Sequence, residues 1–521
     1  MRQFYEKNKK AFYIALGYTV LCFGFMLTHY APNIDEETWL LNETDSIMWL
    51  LQNRYMVYLY DLVFTEHGRF VPFFTSVAGI ALWNLSGFLF AYAFFDFEEK
   101  DRLWLRAFLL CYYSSIPFCV GEAFSFSMLI IPESFGMVLT AAAFLLTIRQ
   151  NRLNSPWDTV GIVLLLVTAS GIYQALIGVY VTAVAGWCLC RFLKEREIKP
   201  GLARGILFTL VSVGLYYIIN LIIAKCCGSA AYLSENYIGW TNGESIFFNL
   251  FMALANVGRV SLAIPVRDVT VYGGFTLRVV TLLFILFSVV TFFRKKGAAK
   301  KAGVLLLTLG IVMAPFALYI ALGTYKTHGR MMIALSLSGM IQLLLIFNGI
   351  TRNILEKAAA AVLLGILLIN ASNMNRIYYY TYLVYQQDRT MASQIIYDLK
   401  RADCDYQNKA VVFIGKGMQE DIGIETSCTL GASFFAWDGG NIRRMIDVIK
   451  LEGCVLHMPS AEQIEEGLAL SEYMREWPQE GSIVETDTSI VIYLSEPEEK
   501  WYQTNLGRSP EEENENDGYL K

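Results

Sequence analysis

The chain has 521 residues, of which 55% are hydrophobic and 17% charged, with a formal net charge of −5. Soluble domains average about 25% charged residues, and the apolar residues here come in runs near the roughly 20 needed to cross a bilayer. A soluble globular protein is therefore excluded, and a polytopic α-helical membrane protein is expected. Acids and bases are segregated along the chain, so the net charge carries little information and calls for no nucleic-acid partner. The four histidines and ten cysteines show no zinc-like spacing, and no metal cluster is expected. Cys22, Cys111, Cys119, Cys188 and Cys190 lie in apolar runs, where a thiol acts as a small hydrophobe.

The N-terminus is basic, with Arg2, Lys7, Lys9 and Lys10, and leads into an apolar run ending near Thr28. That run is too long for a signal-peptide core and lacks a small-x-small cleavage site, so a retained first span is predicted. A loop over 30–69 follows. It opens on Asn33-Ile34-Asp35-Glu36-Glu37 and closes on His67-Gly68-Arg69-Phe70. Carboxylates and guanidinium groups are costly in lipid, so both clusters belong at a water-filled mouth or a bundle interior. Acids also collect in any solvated loop, and the acids alone do not separate the two readings. Between the clusters, Trp49 and the run Tyr55-Met56-Val57-Tyr58-Leu59-Tyr60 predict one or two helices in the headgroup layer.

Further spans are predicted over 70–95, 103–120 and 126–148. The apolar stretch 159–190 is too long for one helix, and Gly171-Ile172-Tyr173-Gln174 divides it into two spans meeting at a turn. Spans over 206–224, 275–293, 303–323, 331–347 and 358–369 complete a count of about eleven. The segment 225–274, with Arg259 and Arg267, reads as an interfacial loop holding a short helix. The loop Thr324–Arg330 carries Lys326, His328 and Arg330. With the N-terminus inside, most basic residues fall on inside loops, among them Arg149, Arg152, Arg191, Lys194, Arg294, Lys295 and Lys296. Asp35, Glu36, Arg69, Tyr173, Gln174, Arg259, Arg267, Lys326 and Arg330 then share the outside.

From Tyr378 the composition changes. Gln386–Asp403 has the spacing of an amphipathic helix, Val411–Gly415 and Ser489–Leu494 read as strands, and Asn441–Leu451 as a helix. A small extracytoplasmic α/β domain over 378–508 is expected, with an acidic, disordered end over 509–521. Gly415-Lys416-Gly417 lacks the spacing and the hydroxyl of a P-loop. The domain is expected to fold apart from the spans, to shape acceptor access and to supply no catalytic residue.

The order of these features resembles the bacterial membrane glucosyltransferases of the GtrII type, which are GT-C-like. The resemblance rests on Asp35-Glu36-Glu37, Gly68-Arg69-Phe70, Tyr173-Gln174, Gly329-Arg330 and the lead-in to the tail from Tyr380 to Leu399. It implies an enzyme that takes a sugar, glucose in the type members, from a polyprenyl-phosphate carrier in the lipid bilayer. The sugar passes to a surface polysaccharide such as O-antigen or teichoic acid outside the bacterial plasma membrane. A flippase and a donor synthase would then be functional partners. A carboxylate must take the acceptor's proton, and Asp35 is the first choice, Glu36 the second. Arg69, Arg330 and Lys326 are expected to hold the donor phosphate, and Tyr173, Gln174 and His67 to position substrate. No cofactor is required, although Asp35 with Glu36 offers oxygen ligands to a divalent cation. The alternative is a transporter or flippase of lipid-linked sugar. It would use the same cations but carry polar residues through the bundle centre.

Overall fold

The computed structural model describes residues 1–65, 69–149, 156–228, 238–241, 245–264, 271–323, 328–417 and 429–509. His67, Lys326, Arg267 and the acidic end of the chain lie outside the described residues. The chain forms two compact units. One comprises Met1–Tyr30 and Thr44–Ile377, the other Ala31–Glu43 and the chain from Tyr378 onward.

The first unit is helical. Among the described residues, seven helices are long and apolar enough to cross a membrane: Pro72–Phe97, Ile130–Arg149, Leu176–Leu193, Lys199–Cys227, Gly274–Arg294, Ala298–Leu322 and Asn353–Arg401. Each coincides with a segment predicted to span. The other predicted spans differ for visible reasons. The first helix, Arg2–Cys22, carries Glu6, Lys7, Lys9 and Lys10 in its opening turns. Leu103–Tyr113, Pro156–Ile172 and Leu335–Gly349 are shorter apolar helices, below the roughly 20 residues a bilayer core requires. The break at Tyr173-Gln174 falls where the sequence places it, between Pro156–Ile172 and Leu176–Leu193.

Burial separates inner from outer helices. Leu207, Leu210, Ile218, Leu221 and Ile222 of Lys199–Cys227 are exposed, as a lipid-facing surface requires. Pro72–Phe97, Ile130–Arg149 and Leu176–Leu193 are mostly buried. Between Tyr113 and Ile130 the backbone leaves the α-helix, yet every residue from Cys111 to Ile130 is buried. Irregular backbone at membrane depth survives only where protein or a polar cavity satisfies its amides and carbonyls. Here the segment is covered by protein throughout.

The second unit is a small α/β fold. Strands β1 (Ala410–Ile414), β2 (Ile483–Glu485) and β3 (Ser489–Tyr493) form a sheet of order β1-β3-β2. β1 pairs parallel to β3, with Val412 opposite Val491, and β2 pairs antiparallel to β3. The apolar run of β1 is buried throughout, as expected for a parallel strand covered on both faces. Helices Ile442–Leu451 and Ala461–Ser471 complete the layer, the second opened by a Ser460–Gln463 capping box. Met445, Ile446 and Ile449 enter the core together with Trp501. The amphipathic segment from Gln386 is not a separate helix. It continues Asn353–Arg401 without interruption, because no glycine or proline occurs between Ile366 and Arg401 to end it. Ile34 belongs to the core of this unit, and the helix Glu36–Leu40 packs on Ile442–Leu451. These contacts group Ala31–Glu43 with the C-terminal fold rather than with the rest of the 30–69 loop.

Candidate active site

The acidic turn of the second unit has one carboxylate outside and two inside. Asp35 has φ 82°, a left-handed conformation that aspartate tolerates better than most residues. The bend leaves Asp35 exposed and sends Glu36 and Glu37 inward, both 0% exposed. The Glu36 carboxylate accepts the Asn33 backbone N–H at 2.9 Å. The Asn33 amide donates to the Thr429 hydroxyl at 2.8 Å, fixing the start of the turn. Arg444 Nη2 donates to Asp35 Oδ1 at 2.7 Å, and Nη1 pairs with Glu37. Arg444 sits in the first turn of Ile442–Leu451, whose Asn441 cap accepts the Arg443 and Arg444 backbone N–H groups. Lys450, two turns on, pairs with Glu43.

The C-terminal fold is not separable from the acidic turn, because its Arg444 is the counter-charge of Asp35 and Glu37. Burial pushes the Glu37 carboxyl up to about 7, against the opposing pull of Arg444. Burial likewise pushes Asp447 up to about 6, helped by Glu43. Both values exceed those of the unfolded chain, so the folded state holds more protons between about pH 4 and 7. Stability from these groups is full at low pH and is lost as pH rises through that window. After correction for the intrinsic pH dependence, amide exchange in 442–451 should therefore be slower at pH 5.5 than at pH 7.5. Glu37→Gln should flatten the difference, and an unchanged difference would assign it to other groups.

The first unit holds a second polar cluster, buried in the helical interior. Glu122 follows the turn Pro117–Gly121, and Glu133 lies in the first turn of Ile130–Arg149. Both are at least 95% buried. Glu122 Oε2 accepts the Gly329 N–H at 2.6 Å. Its other oxygen lies 3.8 Å from Arg330 Nε and 3.9 Å from His328 Nδ1. Gly329 is required there, since a Cβ would fall 1.9 Å from the Phe118 carbonyl oxygen and 2.9 Å from Glu122. That explains the Gly-Arg pair seen in the sequence. The Arg330 guanidinium lies 4.3 Å over the Phe126 ring.

Arg54 completes the cluster. Its guanidinium is 4.7 Å from the Tyr173 ring and 3.7 Å from Glu133 Oε1, an atom with no hydrogen-bond partner among the described residues. The Tyr173 hydroxyl is within electrostatic reach of Arg54, Arg330, Glu122 and Glu133. Gln174 donates to the Tyr216 hydroxyl at 2.9 Å and to the Gln52 and Asn53 carbonyls at 3.3 and 3.4 Å. It thereby holds the backbone that presents Arg54. Two carboxylates and two arginines in low dielectric balance each other, and the arginine forks offer an anion planar, charge-assisted donors.

A family model, glucosyl transferase GtrII, matches residues 24–369. The chain belongs to the GtrII family. No curated protein and no solved structure matches it. GtrII membership makes the chain a glycosyltransferase, and its long apolar helices fit a membrane protein. It also favours the enzyme reading over the carrier. The matched stretch contains the acidic turn and the Arg330 cluster but stops before Arg444.

Of the sequence-predicted residues, Tyr173 and Arg330 lie together in one cluster of the first unit, with Gln174 supporting it. Arg69 is exposed, three residues before Pro72–Phe94. Asp35 and Glu36 belong to the second unit. Sequence reasoning missed Glu122, Glu133, Arg54 and Arg444. The two glutamates carried a signal: they are the carboxylates within the apolar stretch 103–148, and an ionisable residue at such a position marks function. Arg444 carried none, being an ordinary cation on an amphipathic helix.

Proposed function

We propose that this GtrII-family chain transfers a sugar, glucose by family analogy, from a polyprenyl-phosphate carrier to an extracytoplasmic cell-surface glycan. In the reaction the acceptor hydroxyl loses its proton to a carboxylate, Asp35 by preference and Glu36 otherwise. Its oxygen attacks the anomeric carbon. The bond between that carbon and the phosphate oxygen breaks, and the lipid phosphate leaves with the electron pair. Arg330, with Arg69 and Lys326, stabilises the charge on the departing phosphate. Tyr173 and Gln174 position substrate, with His67 assisting. The single observation that supports the phosphate assignment best is the Arg330 guanidinium, stacked on Phe126 and held by Glu122 in a buried, charge-balanced cluster. A preorganised cation of this kind meets developing negative charge without reorganisation.

The decisive experiment is transfer from a synthetic polyprenyl-phosphate-glucose by the purified chain in nanodiscs, with release of free lipid phosphate as the readout. No release from that donor, with or without acceptor, would reject the reading. Within that assay, Arg330→Lys should weaken the donor's apparent affinity about 10–100-fold, the worth of one charge-assisted hydrogen bond, because lysine keeps the charge and loses the fork. Arg69→Lys should act in the same direction. Full activity in Arg69→Lys would make that residue a headgroup anchor. The sidedness rests on the distribution of basic residues, which puts the N-terminus in the cytoplasm and the C-terminal fold outside. A single cysteine placed at Ser460 should accordingly react with an impermeant maleimide in intact cells. Labelling only after lysis would reverse the orientation.

A further inference from the structure

We infer that the C-terminal unit carries a glycan-binding groove, separate from the acidic turn, that holds a neutral stretch of the acceptor polysaccharide. The groove encloses about 680 Å3, within the range of about 300–1,000 Å3 typical of small-molecule sites. Its floor is one face of the long helix. Gln386, Thr390, Gln394 and Tyr397 recur at the three- and four-residue spacing that aligns side chains along a helix. The opposite face, Ala392, Ile395 and Leu399, is wholly buried in the core. Trp477 and Pro478 form the facing wall.

The wall is fixed. The Trp477 indole N–H donates to Asp398 Oδ2 at 3.2 Å, and its backbone N–H donates to the Tyr493 carbonyl at 2.8 Å. The charges in the groove cancel. Arg389 makes a two-pronged pair with Glu452 at 2.6 and 3.2 Å, and Arg401 lies 3.7 Å from Asp398. A groove with its cations already paired does not select a phosphate, and one this polar does not select a lipid tail. What remains uncommitted is neutral. The side-chain amides of Gln386 and Gln394 and the hydroxyls of Ser393 and Tyr397 make no hydrogen bond within the protein among the described residues. Amides and hydroxyls both donate and accept, which matches the vicinal hydroxyls of a pyranose. The Tyr397 ring, 64% exposed, offers an aromatic face to the sugar's C–H face.

That the bound glycan is the acceptor rests on the transfer reaction proposed above; glycan binding itself does not. The test uses the full chain in nanodiscs. Short linear oligosaccharides of glucose, galactose, mannose and rhamnose serve as probes, with saturation-transfer NMR titration as the readout. Tyr397→Ala and Gln394→Ala remove exposed side chains and should leave the fold intact. At least one probe should bind, and each variant should weaken it about fivefold or more, with hydrolysis of the lipid donor unchanged. Binding by none of the probes, or equal binding by both variants, would overturn the groove. If the wild type binds a probe in a Tyr397-dependent way yet never consumes the lipid donor, the groove stands and the transfer reading falls. If transfer proceeds and the variants leave the acceptor KM unchanged, the groove is not an acceptor site.

Discussion

Asp35→Asn should lower turnover by about 10²–10⁴-fold, the usual worth of a positioned general base, while leaving donor binding unchanged. Asp35 is the exposed carboxylate of the turn, so a substrate hydroxyl can reach it. One oxygen is engaged by Arg444 at 2.7 Å, which fixes the carboxylate's direction and leaves the second oxygen for the proton. Asparagine keeps the shape and the contact with Arg444 but cannot take the proton. Glu36→Gln is the paired control. The Glu36 carboxylate is buried and accepts the Asn33 N–H at 2.9 Å, a bond that a glutamine carbonyl can also accept. Glu36→Gln should therefore fold normally and lose little turnover. Pre-steady-state transfer and donor titration on the two variants decide the matter. Near-normal turnover in Asp35→Asn with loss in Glu36→Gln would move the base to Glu36. Normal turnover in both would remove this turn from the chemistry.

Arg444→Ala should destabilise the second unit by about 3–5 kcal/mol, the cost of stripping one partner from a buried ion pair. Arg444 is 17% exposed and Glu37 fully buried, so solvent does little to replace the lost charge. Glu37 softens the loss by taking up a proton, since burial already pushes it up to about 7. The damage should thus be smaller at pH 6 than at pH 8. The double variant Glu37→Gln with Arg444→Met should recover stability without recovering transfer, because Asp35 still lacks its guide. Truncation from Asp403 onward takes Arg444 away and should abolish donor hydrolysis together with transfer. A truncated chain that inserts and hydrolyses donor at the wild-type rate would show that the acidic turn holds its shape unaided. Chemical denaturation monitored by exchange in 31–43 and 442–451 measures the stability change directly.

Much of the architecture was legible in the sequence because its cause is local. An apolar run near bilayer length folds as a helix, since that pairs its backbone groups within the segment, and the seven long apolar helices among the described residues lie where such runs occur. The break at Tyr173-Gln174 and the strands β1 and β3 were likewise written in short-range pattern. So were the acids of the turn and the Gly329-Arg330 pair, and with them the family. The continuation of the last span into Asn353–Arg401 was open to the sequence too, since no glycine or proline between Ile366 and Arg401 ends the helix. Three things needed the tertiary structure. Which acids of Asp35-Glu36-Glu37 face water was set by one left-handed residue, a backbone state that side-chain pattern does not encode. The partner of those acids, Arg444, is some four hundred positions away in the chain. No periodicity links residues so far apart; only the packing of Glu36–Leu40 on Ile442–Leu451 does. The cluster of Arg54, Glu122, Glu133, Tyr173 and Arg330 draws on five separate segments. Each charge was visible alone, but their mutual neutralisation, which makes such burial tolerable, exists only in the folded chain.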